Sequence, residues 1–508
     1  MRIAGFRTAM ACLAVAVAVS ASPAQAQKSA DTLRVYWRDQ IADVDPYYNN
    51  MRTGLIFAHH AFDGLVYRDP DSMEMKPLLA TSWKLTDPTT LEFELRQGVT
   101  FHNGDKFTAA DVLYTVKVLT DPKSGIVVPS NFNYIAGAEA IDDFHVRLKL
   151  KAPFPPALEY LAFVTPIYPG AYRERVGHDG FKKEPVGTGP YKVNKVDGVS
   201  LIDMERNEAY FGGPKGKPPI KHLVIHEVAD ASTELTALLG GQADWIWQYN
   251  ADQYNQIAAI PTLATLRHES MRIAHLTIDA AGRSSENSPL KDVRVRQAIM
   301  YAIDRETFAK QLVQGGARVP DGPCYFSQSG CNLAAEKHYE YDPAKAKALL
   351  AEAGYPDGFD TEIVNSILPQ WAGALQNYLR AVGIRAKVTT LQSSAATLRS
   401  QKGEAPLSLT SWGSNSINDI SAIMPYFFGG GLDDMAKDPV LTRMLVDASP
   451  VADPEARKAA YGIALKRETE MAYWVPISTY VTVYAINKQL NFTAYQDEMP
   501  RFYQASWK

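Results

Sequence analysis

Apolar and polar residues alternate with a period of two in a series of short runs. The clearest is LEFELRQG, where Leu91, Phe93 and Leu95 share one side, the pattern of a half-buried strand. Similar runs are TLRVYW at 32–37, GLVYRD at 64–69, SWKLT at 82–86, AIDDFHVRLKLK at 140–151, YKVNKV at 191–196 and KHLVIHEV at 221–228. Between them the spacing lengthens to the helical period over 53–62, after Thr108 through VLYTVKVL, and over 231–240. Thr108 followed by Asp111 is a capping box, Pro122 ends that helix, and Gly240 with Gly241 stops the next. Gly187, Gly189 and Pro190 predict a tight turn.

After AHLTID at 274–279 the pattern changes to long helices separated by strands. The stretch DVRVRQAIMYAIDRETFAKQLV predicts one helix, and YDPAKAKALLAEAGYP a second, with Asp342 as N-cap, Pro343 in the first turn, and Gly354 and Pro356 at its end. Strands TEIVN and AKVTTL bracket a helix over 371–382. A further helix at 455–471 precedes the strand WVPISTYVTVYAIN. Such alternation predicts an α/β unit following a mainly antiparallel one. At 508 residues the chain exceeds what one core organises, so two or three domains are expected.

Arg2 and Arg7 precede the apolar run ACLAVAVAV, and Ala24 and Ala26 form an A-x-A site, so an export leader cleaved after Ala26 is expected, with Cys12 discarded inside it. No later stretch reaches the roughly 18 apolar residues of a membrane span. Losing Arg2 and Arg7 takes the formal charge from −4 to −6, which excludes electrostatic attraction to nucleic acid. Cys324 and Cys331 then remain, in PDGPCYFSQSGCN, and an exported chain is expected to pair them as a loop disulfide, the alternative being two buried thiols.

Five stretches in order carry a resemblance. They are LEFELRQGVTFHNGDKFTAADVLYTV at 91–116, EPVGTGPYKV at 184–193, LLGGQADW at 238–245, PLKDVRVRQAIMYAIDRE at 289–306 and YDPAKAKALLAEAGYPDGF at 341–359. The mature chain resembles the extracytoplasmic solute-binding proteins of family 5, which serve peptide, nickel and opine importers. That resemblance implies a two-lobed α/β periplasmic binding protein of the Venus-flytrap type with an extra subdomain. Lobe one is then expected from 27–60, 189–272 and 479–508, its extension from 61–188, and lobe two from 273–478, after a leader at 1–26. It also implies a monomer without cofactor or metal that passes a small solute to an ABC permease with cytoplasmic ATPases.

In LTSWGSNSINDIS the resemblance places Trp412 at the cleft, and puts Asn415 where dipeptide-binding members carry an aspartate for the ligand's ammonium. An amide cannot neutralise a buried ammonium. Asp419 is the candidate substitute, with a helix cap as its other reading. Trp37, Asp39 and Tyr48 follow the first strand and are expected near a ligand. Trp245 and Trp247 share a side, which is cleft or core, and Trp371 begins a helix in the second lobe. The competing expectation is a secreted hydrolase of a small polar or peptide-like substrate. Against it, the chain has no G-x-S-x-G and no HExxH, and His222 and His226 would lie roughly 13 Å apart on an extended strand.

Overall fold

A computed structural model describes residues 31–508 except 40, 42, 50, 198–199, 229 and 250–252. The expected leader, its cleavage after Ala26, and Cys12 lie outside the described residues. A ten-stranded sheet runs through the molecule. Its order is Ile384–Thr390, Phe359–Asn365, Leu407–Trp412, Leu263–Ile278, Trp474–Asn487, Trp245–Trp247, Thr32–Trp37, His222–Glu227, Leu201–Arg206 and Tyr191–Asp197.

The two central strands are the longest, at 16 and 14 residues, and pair antiparallel along most of their length. Each serves two cores. Ala274, Leu276, Ile278, Val475 and Ile477 pack into one, while Tyr484 and Ile486 pack into the other with Leu33, Val35 and Trp245. The pairing register shifts between Glu269 and Ile273 and again between Ala274 and His275, where the ribbon passes from one core to the next. Bulges of this kind bend a ribbon and increase its twist.

A separate antiparallel sheet, ordered Ala80–Asp87, Thr90–Leu95, His145–Leu150 and Ile135–Asp142, extends the first half. Helix Ala109–Thr120 packs on it and starts at the expected capping box, with Asp111 accepting from the Thr108 backbone. Gly187 and Gly189 are required by proximity more than by turning. A Cβ there would lie 2.1 Å from the Ala61 carbonyl oxygen and 2.4 Å from the Ala61 carbonyl carbon, at the end of helix Arg52–Ala61.

Two sequence expectations need correction. The stretch expected as one helix over 292–313 divides into Val293–Ala302, Arg305–Phe308 and a π-turn at Ala309–Val313. Asp304 causes the break by capping the Thr307 backbone N–H with its side chain. The strand expected at 274–279 begins instead at Leu263, and a further strand forms at Leu201–Arg206.

Candidate functional site

The two halves meet where the strand Leu407–Trp412 ends. The chain then turns through Ser414, Asn415 and Ser416, all with left-handed φ of 51°, 50° and 62°. For non-glycine residues that conformation costs about 1–2 kcal/mol each, so the surroundings must hold it. They do so from the first half. Arg68 donates to the Ser416 carbonyl at 2.6 Å, Arg52 donates to the Ser416 hydroxyl, and that hydroxyl donates to the Asp497 carbonyl at 2.6 Å. Glu159 accepts the Asn418 backbone N–H at 3.1 Å.

Ion pairs lie behind these contacts. Arg68 bridges Glu159 at 2.7 Å and Asp497 at 3.0 Å, and Arg501 reaches Asp497 at 2.7 Å. Glu498 takes Arg272 at 3.0 Å and Arg52 at 3.1 Å, with the Ser270 hydroxyl at 2.9 Å. Burial pushes both carboxyls up, but the guanidiniums outweigh it. Arg501 and Arg68 hold Asp497 well below the carboxylate range, and Arg272 and Arg52 bring Glu498 to about 2.

The residues singled out in the sequence fall into different surroundings. Trp412 is half-buried at the junction, stacked on Tyr426 at 4.5 Å, with its indole N–H on the Ala422 carbonyl. Asn415 is exposed at the turn's apex, and Asp39 is exposed and acts on Arg272 through space. Asp419 is buried and committed elsewhere: both its oxygens take Arg457, the closer at 2.7 Å, and it caps Ser421.

The remaining aromatics are structural in this arrangement. Trp37, Trp245 and Trp247 belong to the first core, the last two against Tyr484. Trp371 packs in the second core between Phe308 and Tyr480. Tyr48 is half-buried, stacked on His178 at 3.8 Å with its hydroxyl on the Ser124 carbonyl, and so braces the extension.

Cys324 and Cys331 form a disulfide with Cα atoms 6.0 Å apart. With Glu336 they are the one group among the described residues close enough to ligate a metal ion, yet bonded sulfurs offer no thiolate. The loop they close pairs with the turn region: Ser329 N–H donates to the Asn418 carbonyl, and Gln328 donates to the Ile417 carbonyl. Sequence reasoning missed Arg52, Arg68, Arg272, Asp497 and Glu498. The one available signal was the charge-dense DEMPR at 497–501 amid apolar residues.

The profile described as bacterial extracellular solute-binding proteins, family 5 Middle, matches residues 74–434. The glutathione-binding protein GsiB of Pectobacterium atrosepticum is 27% identical over 495 residues, covering 94% of this chain and 93% of its own. Heme-binding protein A of Haemophilus influenzae is 26% identical over 460 residues, covering 83% and 82%. Among solved structures, HbpA2 from Haemophilus parasuis superposes with a TM-score of 0.80 at 24% identity, over 94% of this chain and all of the other. NikZ from Campylobacter jejuni, in complex with Ni(L-His), gives 0.79 at 25% identity with 94% and 100% covered.

Proposed function

Because this chain belongs to the bacterial extracellular solute-binding proteins of family 5, we propose that it is the receptor of an ABC importer, capturing a small polar or peptide-like solute between its halves. We assign the lobes to the segments that the family resemblance implies: 27–60, 189–272 and 479–508 for the first, 61–188 for its extension, and 273–478 for the second. The leader is removed after Ala26 and the mature monomer works in the periplasm. Among the described residues no helix is long and apolar enough to cross a membrane.

The observation that carries this reading is the junction itself. A strained turn of one half is held by arginines and a glutamate of the other, across a two-stranded ribbon that bulges where it passes between cores. Contacts available only when both halves meet favour the closed form by the difference in binding free energy, and closure then reports occupancy to the permease. The cargo leaves unaltered, so no catalytic residue is required. Relatives are named for glutathione, heme and a nickel–histidine complex, and this chain's cargo follows from its own junction residues.

The test is to mix purified mature protein with fractionated bacterial extract, then measure tryptophan fluorescence, small-angle scattering and native mass. One retained small molecule, released unchanged, together with compaction is expected. A retained compound that emerges chemically converted, or no retained compound at all, would sink the reading. Trp412→Ala should weaken that capture at least about tenfold, and unchanged affinity would remove Trp412 from the site.

A further inference from the structure

The charge balance at the junction bears on the cargo, a deduction that rests on the solute-binding role proposed for the chain. Four guanidiniums, of Arg52, Arg68, Arg272 and Arg501, face three carboxylates, of Glu159, Asp497 and Glu498. Asp497 is taken by Arg68 and Arg501, and Glu159 by Arg68, so Arg52 and Arg272 share Glu498 alone. One positive charge is in excess. Asp39 offsets it only from solvent, where water and salt screen its field.

That charge has an accessible face. Arg272 binds Glu498 through Nε and Nη2, at 3.1 and 3.0 Å, which leaves Nη1 with one long contact of 3.4 Å to the Ser411 hydroxyl. Its side chain keeps 26% of its surface, against 16% for Arg52, whose Nη1 is already used by Ser416 and the Asp497 carbonyl. Tyr480 lies beside Ser411 and adds a second hydroxyl. We propose that Arg272, with Ser411 and Tyr480, forms a subsite for a carboxylate of a peptide-like cargo.

The same geometry disfavours an ammonium at this place. Glu498 is already engaged by two arginines, and Asp419 is spent on Arg457. A second cation would meet the unpaired positive charge while both of these buried acids are already committed. A guanidinium edge beside a hydroxyl suits a planar carboxylate, which accepts along two parallel directions.

Matched probes differing only in that group test the proposal: dialanine against dialanine amide, and glutathione against its diethyl ester, each titrated calorimetrically. The acid of each binding pair should bind at least about tenfold tighter than its neutral partner. Arg272→Gln should bring the two within about twofold, the acid losing more affinity than the neutral probe, and Arg272→Lys should restore part of the difference. Ser411→Ala, which leaves the Glu498 pair intact, should reduce the acid's advantage about threefold. Equal binding of acid and neutral forms, or an undiminished preference in Arg272→Gln, overturns the subsite. So does binding none of the four while melting still shifts with extract, an outcome that leaves the solute-binding reading standing. A protein that responds to neither probes nor extract loses both.

Discussion

Two buried corners of this protein treat carboxyl groups in opposite ways. At the junction of the halves, Asp497 and Glu498 are deeply buried yet ionised, because two arginines converge on each. At the disulfide corner of the second half, Glu336 has no such partner. Burial and the neighbouring Asp321 push it up to about 8, and Arg305, which pulls it down, is bound to Asp321. Its Oε1 lies 3.4 Å from Cys324 Sγ. Glu468, buried nearby, is also driven upward by burial. The junction therefore holds itself by charge, and the corner by a covalent link and neutral acids. The ion pairs bind segments of the first half to one another beneath the turn they hold, whereas the corner of the second half is stapled.

The comparison is broken most directly at Arg68. Arg68→Met would strand Asp497 with one guanidinium and Glu159 with only the Asn418 N–H, and removing one member of a buried pair costs about 3–5 kcal/mol. Chemical denaturation should show a loss in that range, and a loss near zero would mean the junction charges are solvated. At the stapled corner, Cys324→Ser with Cys331→Ser opens a loop with a sequence separation of 7. Loop-closure entropy predicts about 2–3 kcal/mol of destabilisation, without the salt sensitivity expected of the Arg68 variant.

The pH response of Glu336 tests the neutral acid of that corner. Below its ordinary value of 4.5 the carboxyl is protonated whether the chain is folded or not. Between 4.5 and about 8 the unfolded chain releases the proton while the folded chain keeps it, so stability falls as pH rises, and the loss is complete above 8. Glu336→Gln should therefore flatten the decline in melting temperature across that interval by a few degrees. An unchanged slope would show that Glu336 is ionised in the fold. Glu498 runs the other way: its contribution is present above 4.5 and disappears only as pH falls toward about 2.

Much of the fold was legible because its signals are local. The capping box at Thr108, the Asp342 cap with Pro343, and the Gly240 stop each lie within a few residues of the element they end. The junction was not legible, because its partners are distant in the chain: Arg68 and Asp497 are 429 residues apart, and Arg272 and Glu498 are 226. The aromatic residues were ambiguous for another reason. The W-I-W alternation puts Trp245 and Trp247 on one side without saying which, and the apolar neighbours Tyr484 and Phe492 draw that side inward. Trp412 was singled out through the family pattern and Asp419 as a substitute acid; the structure stacks the first on Tyr426 and pairs the second with Arg457.

The continuous central strands carry a consequence for anyone dividing this protein into parts. Severing it at the ribbon would leave each fragment with a torn margin of unpaired N–H and C=O groups, which is the raw material of edge-to-edge aggregation. A reporter domain is better inserted at the exposed Gly429–Gly431 loop, whose backbone lies outside both strands.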